Sequence, residues 1–234
     1  MALDAAIASA LESVTTATLT TVLLKKGVRA CWMNGPAPFT AAAKRKRVAG
    51  EAFTLRFVPV REDLATPESW GKPISTRAAI EAMPEGCIAV VDAMGVRTAG
   101  IFGDILCARM AKRNVAALVS DGVVRDVAGV ETTGLPVWCA GAAAPASVAG
   151  LTFVGWGEPV GCGGVAVFPG DVVVCDGDGA VLIPQALAAG VAAEALEHER
   201  MEEWIMRQVA DGAALPGLYP MNAETRARYD AGRK

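Results

Sequence analysis

The sequence has little histidine: His198 stands alone among 234 residues. That excludes histidine-rich metal sites, and any Ser-His-Asp or Cys-His mechanism would have to run through His198. Charge is sparse too. Asp, Glu, Lys and Arg make up 20% of the chain, with a net charge of -3 and a pI near 5.3. A nucleic-acid binder shows a basic surface, so this balance argues against one. The only dense basic run, Lys44–Arg47, reads as a solvated face or a turn before a strand. No two of the six cysteines form a CxxC or zinc-knuckle pattern. No uninterrupted apolar run reaches the roughly 18 residues of a spanning helix. The first residues carry Asp4 and Glu12 and no basic start, so they read as a short amphipathic helix and not as a signal peptide.

What is present is apolar and glycine-rich: 53% hydrophobic residues and 25 glycines. A chain of this length buries most of what its unfolded form exposes and needs no disulfide or metal to fold. The cysteines sit in apolar runs and are expected as buried free thiols, which suits a reducing, cytoplasmic setting. The Ala- and Val-rich composition fits a large core or extensive subunit interfaces.

Along the chain, 2–27 predicts one helix ending at Gly27, and 48–60 a strand. Residues 61–74 read as a loop, 75–83 as a short helix, and 87–93 as a buried strand. A strand ending near Phe102, a helix from Asp104 to about Asn114 and a buried strand over 115–120 follow. From 151 the text turns to short strands with Gly and Pro breaks. A long helix is expected over 184–209, then an arm over 210–234 with a final short helix. Alternating strand and helix followed by many strands predicts one α/β domain over 1–234.

The informative segment is Gly103–Asp126. A turn at Gly103 and a helix from Asp104 would aim the N–H groups of Ile105 and Leu106 out of the helix N-terminus, a ready site for a carboxylate or enolate oxygen. The strand after this helix ends in a second loop carrying Asp121, Gly122, Arg125 and Asp126. Both loops follow strand ends, where open α/β sheets place their ligands. Arg125-Asp126 has two readings. One is a helix N-cap beside a surface arginine. The other is an arginine that clamps a carbonyl or carboxylate beside an aspartate that holds a hard divalent cation. Few carboxylate ligands and no histidine suit Mg²⁺ or Mn²⁺.

Asp104, twenty intervening residues, then Arg125-Asp126 resembles the D-X20-R-D motif of the class II pyruvate aldolases, the 4-hydroxy-4-methyl-2-oxoglutarate / 4-carboxy-4-hydroxy-2-oxoadipate aldolase family. Ser120–Asp126 resembles its VxDGxxRD loop, and Gly134-Leu135-Pro136-Val137 the segment after it. Gly163-Gly164-Val165, Pro169-Gly170-Asp171 and Asp176–Gly179 resemble its GGV…PGD…DxDG run. The likeness covers roughly residues 10–205. It implies a layered β/β/α fold of the swivelling phosphohistidine-domain type, with helices at both termini. It also implies a homotrimer or homohexamer with sites between subunits, and a 2-oxo acid substrate.

The resemblance assigns a divalent Mg²⁺ or Mn²⁺ ion to Asp126 and the 2-oxo or enolate oxygen to Arg125. Organising metal-bound water or proton transfer falls to Asp104, and the substrate carboxylate to the turn at Gly103 with the N–H groups of Ile105 and Leu106. A glutamate from the C-terminal helix of a neighbouring subunit, here Glu199, would complete the site. The expected activity is cleavage of 4-hydroxy-2-oxo acids to pyruvate and a carbonyl product, with oxaloacetate decarboxylation on the side. The same fold family contains the regulator of ribonuclease activity A, a binding protein, so a non-catalytic role is one alternative. A lyase for another, sugar-derived 2-oxo acid is a second, because 61–76 and 210–234 depart from the short aldolases.

Overall fold

The computed structural model describes residues 3–232. Its apolar N-terminal stretch forms two helices, α1 (Ala5–Glu12) and α2 (Thr16–Lys25), where the periodicity predicts one. They meet at 110°. A cap makes the break: Thr15 is extended, and its Oγ1 accepts the Thr18 N–H at 3.1 Å. Such side-chain acceptors satisfy N–H groups that a helix start leaves unpaired.

The chain continues through β1 (Ala37–Pro38), α3 (Ala41–Arg45) and the long β2 (Val48–Pro59). Residues 61–74 are irregular apart from a 3-10 turn over Pro67–Gly71. Next come α4 (Thr76–Ala82), β3 (Ile88–Asp92), α5 (Asp104–Lys112), β4 (Ala117–Ser120), α6 (Val127–Thr132) and β5 (Val137–Cys139). The strand-rich half holds β6 (Leu151–Trp156), β7 (Val160–Cys162), β8 (Val165–Val167), β9 (Val172–Asp176) and β10 (Gly179–Ile183). Helices α7 (Ala188–Ala210) and α8 (Ala223–Ala231) follow. The strand expected to end at Phe102 is absent. The Gly100 N–H bonds Pro145 O and the Ile101 N–H bonds Val123 O, so this stretch is shared between two loops and joins no ladder.

Strands β2, β3, β4 and β5 are parallel neighbours. β1 caps the β5 edge, and β2 pairs antiparallel with β9 through its first half and β6 through its second. β10 pairs with β9. Residues 31–33 run beside β10, with the Met33 N–H on Ala180 O at 2.9 Å and the Leu182 N–H on Cys31 O at 2.7 Å. That segment leads into β1, so the mixed sheet nearly closes on itself. The expected α/β fold with terminal helices is therefore the one found.

Side-chain alternation divides the core. Ile88, Val90, Ala117 and Val119 point inside the curved sheet, against Trp138, Val173 and Cys175. Ala89, Val91 and Leu118 point out, against Ile80 of α4, Met110 of α5 and Val130 of α6. Strands covered on both faces read as unbroken apolar runs, which is why they stood out in the sequence. A third core packs α1, α2 and α7 on Val172, Val174, Val181 and Ile183. All six cysteines are buried and unpaired, and burial pushes the Cys87 and Cys107 thiols up to about 12. The expected arm after 210 folds back: Tyr229 is buried, with its ring edge-on to Trp204 at 5.7 Å. His198 is half-buried, 3.2 Å from Glu202 one helical turn on.

Candidate active site

The loops after β3 and β4 meet at the N-terminus of α5. Buried Asp121 anchors the second loop: its carboxylate accepts the Ala93 N–H at 2.8 Å and the Gly163 N–H at 3.3 Å. Burial raises the Asp121 pKa, and these backbone bonds oppose the rise. Ser120 Oγ accepts the Gly122 N–H at 3.0 Å and donates to Val91 O. Further on, the Arg125 N–H bonds Phe102 O at 2.9 Å and the Val124 N–H bonds Gly141 O at 3.1 Å. The backbone leading to Arg125 is thus tied on both sides.

Asp126 then adopts the left-handed conformation, φ 53° and ψ 48°. Such a backbone costs a non-glycine residue roughly 1–3 kcal/mol and persists only where its surroundings impose it. Asp126 occupies the N-cap position of α6, yet its side chain makes no capping hydrogen bond. It reaches across to the turn before α5, and Oδ2 accepts from Arg125 Nε at 3.0 Å. The N-cap reading is therefore right for the backbone position and wrong for the carboxylate.

Two glycines permit this approach. A Cβ on Gly103 would collide with Asp126 Oδ2, and one on Gly129, in the first turn of α6, would lie 2.6 Å from Asp104 Cβ. Asp104 Oδ1 accepts the Ile105 N–H at 2.7 Å, while the Leu106 N–H bonds no acceptor. Of the two donors expected to face a ligand, one is thus held by the neighbouring carboxylate and one is open.

Gly103, Asp104, Ile105, Leu106, Arg125 and Asp126 line a single cleft of about 270 Å³. Arg125 and Asp126 are each between a third and a half exposed there. Glu199 lies elsewhere in its own chain. It accepts the Thr15 N–H at 2.7 Å and the Thr15 Oγ1 at 2.8 Å, beneath the α1–α2 break. Burial pushes its carboxyl up, but bonds from Thr15 and Thr18 outweigh burial and leave its pKa lowered. Sequence reasoning missed Trp70, Arg77 and Ser147, which share the cleft. It missed Gly129 as well, although a glycine inside a helix costs about 1 kcal/mol against alanine and so signals a packing need.

Among the described residues no group of three His, Cys, Asp or Glu side chains comes together. An ion in the cleft would meet at most the carboxylates of Asp104 and Asp126. Oδ1 of Asp126 and Oδ2 of Asp104 carry no hydrogen bond. Two hard oxygen donors beside an open space fit Mg²⁺ or Mn²⁺, which keep waters and take substrate oxygens.

Comparison with known proteins places this geometry in context. A match to the RraA-like family, described as Aldolase/RraA, spans residues 16–182. A protein of Halalkalibacterium halodurans named "Putative 4-hydroxy-4-methyl-2-oxoglutarate aldolase" is 33% identical over 138 residues, 58% of this chain. The match covers 63% of that relative, under two thirds of its length. The crystal structure of Streptomyces coelicolor RraAS2, described as an unusual member of the RNase ES inhibitor RraA protein family, superposes with a TM-score of 0.77 at 34% identity. It covers 87% of this chain and 97% of that one. An uncharacterized protein from Pseudomonas syringae pv. tomato gives a TM-score of 0.79 at 25% identity, over 94% and 99% of the two chains.

Proposed function

This chain belongs to the RraA-like family, and from that premise we propose that it is a divalent-metal-dependent aldolase. Its substrates would be 4-hydroxy-2-oxo acids of the 4-hydroxy-4-methyl-2-oxoglutarate type, cleaved to pyruvate and a second carbonyl compound. The observation that carries this reading is the strained Asp126. Its carboxylate leaves the capping position of α6 and stands beside Arg125 at the N-terminus of α5.

Cleavage beta to a ketone leaves an enolate, whose oxygen needs a fixed positive partner. Arg125 supplies one: only its Nε is engaged, so both terminal nitrogens are available to the 2-oxo oxygen. The Leu106 N–H, and that of Ile105 once Asp104 turns from it, would bind the substrate carboxylate through the helix terminus. Asp104, released in the same exchange, would sit beside the reacting carbons to take and return a proton. Asp126, with Asp104 near it, would hold the Mg²⁺ or Mn²⁺ ion, which when bound supplies Lewis-acid polarisation of the 2-oxo group. Oxaloacetate would lose carbon dioxide through the same enolate. A homotrimer or homohexamer remains part of this reading, with Glu199 of a neighbouring copy near the cleft. That role would have to coexist with the Thr15 contact Glu199 makes in its own chain.

The test is a lactate-dehydrogenase-coupled pyruvate assay on 4-hydroxy-4-methyl-2-oxoglutarate and oxaloacetate, with and without chelator. Arg125→Ala and Asp126→Ala should each lower kcat by roughly 10²–10³-fold, the scale of losing one charge-stabilising donor. Full activity in either variant, or indifference to chelator, overturns the reading. The likeness to RraAS2 favours a second one, a ribonuclease-regulator-like binder. It would show as no pyruvate from any 2-oxo acid together with capture of ribonuclease E.

A further inference from the structure

The segment 61–76 builds one wall of the cleft. Trp70 comes from its 3-10 turn, and Arg77 from the first turn of α4 just after it. The Arg77 guanidinium carbon lies 4.8 Å from the centre of the Trp70 ring. A cation over an indole face is attracted to it and is thereby oriented. Beyond that stacking, Arg77 makes no hydrogen bond and no ion pair among the described residues. The other cleft charges differ. Arg125 pairs with Asp126, and Asp104 accepts from the Ile105 N–H. The cleft therefore holds one oriented guanidinium whose donors have no protein acceptor.

We propose that Arg77, steadied by Trp70, reads a second carboxylate on the substrate, distal to the 2-oxo acid end. The inference rests on the aldolase reading of the same cleft and names the residue that would select substrates with the distal carboxylate of the 2-oxoglutarate skeleton. A guanidinium presents paired N–H donors that match a carboxylate, and such bonds are about twice as strong as neutral ones. A neutral polyol tail could use the Thr76 and Ser147 hydroxyls that also line the cleft, but it would leave Arg77 without an acceptor. This separates a dicarboxylic substrate from a sugar-derived one with an uncharged tail.

Two five-carbon probes test the point: 2-oxoglutarate, and 2-oxopentanoate, which carries a methyl group in place of the distal carboxylate. Neither has a 4-hydroxyl, so calorimetry in excess Mg²⁺ reads binding without turnover. The wild type should bind 2-oxoglutarate about tenfold or more tighter, the scale of one charge-assisted contact. Arg77→Gln should abolish that preference while leaving 2-oxopentanoate affinity unchanged, and Arg77→Lys should keep part of it. Arg77 is exposed, so these variants should fold. Equal affinities in the wild type, or an intact preference in Arg77→Gln, overturn the proposal. Failure of the aldolase reading would look different: no pyruvate release by the wild type, and 2-oxo acid binding indifferent to Arg125→Ala.

Discussion

The starts of α2 and α5 both carry acidic side chains, and they use them in opposite ways. At α2, Glu199 accepts the N–H and hydroxyl of Thr15. Asp176 accepts the Thr16 N–H at 2.8 Å, its Oγ1 at 2.6 Å and the Asp178 N–H at 2.9 Å, with Arg47 Nε 3.6 Å away. At α5, Asp104 and Asp126 each accept a single bond, one N–H stays open, and the backbone of Asp126 is strained. Negative charge favours a helix N-terminus in both places. Only the second leaves donors and acceptors for a ligand. The acids with several bonds, saturated in that sense, tie a joint of the fold, and the unsaturated ones beside an open N–H leave room for a ligand.

Among the changes that probe this contrast, the one with the largest expected effect tests its cleft side. Gly103→Ala places a methyl group against the Asp126 carboxylate. Displacing a positioned group by an ångström costs about 10²-fold in rate, so kcat/KM in the pyruvate assay should fall on that scale. Because Asp126 is half-exposed and can move aside, the melting temperature should hardly change. Unchanged kcat/KM would show that the close approach of Gly103 and Asp126 has no catalytic meaning.

Asp176→Ala addresses the other side. It leaves the Thr16 N–H and hydroxyl without their buried acceptor. Such a loss costs about 2–4 kcal/mol, readable as a lower urea midpoint at unchanged slope. Activity per folded molecule should stay at the wild-type level. A variant as stable as the wild type would mean the α2 joint is not held by its acids.

Part of this contrast was legible in the sequence. The buried strands showed as unbroken apolar runs, and the spacing of Asp104 from Arg125-Asp126 brought two loops to one cleft. The left-handed Asp126 did not show, because Asp before a short helix looks like an ordinary cap. The α1–α2 break was hidden because Ser13-Val14-Thr15 contains neither glycine nor proline. Its local cap at Thr15 is reinforced by a tertiary contact: Glu199 accepts the Thr15 N–H from 184 residues away. Trp70 and Arg77 were hidden for a related reason. They come from an irregular segment and a helix start, where no periodicity says which residues face a common space.

Glu199→Gln is the mildest change and the one that can break the contrast. The folded-state pKa of Glu199 lies below its ordinary 4.5, because the Thr15 and Thr18 bonds outweigh burial. The ionised form therefore stabilises the fold. Its contribution is complete above pH about 4.5, where the unfolded chain is also ionised, and fades as pH falls through the lower folded value. Partial exposure limits it to about 1 kcal/mol. Urea melts of wild type and Glu199→Gln should differ by that amount at pH 7 and converge in acid. If Glu199 serves only the α2 joint, pyruvate release per folded molecule will match the wild type. If a neighbouring copy also presents it to the cleft, kcat will fall far more than a loss of about 1 kcal/mol of stability can explain, because a chain that is mostly folded loses little active protein to such a change. The same acid would then belong to both regions, and the division between saturated and unsaturated acids would hold within one chain but not in the assembly.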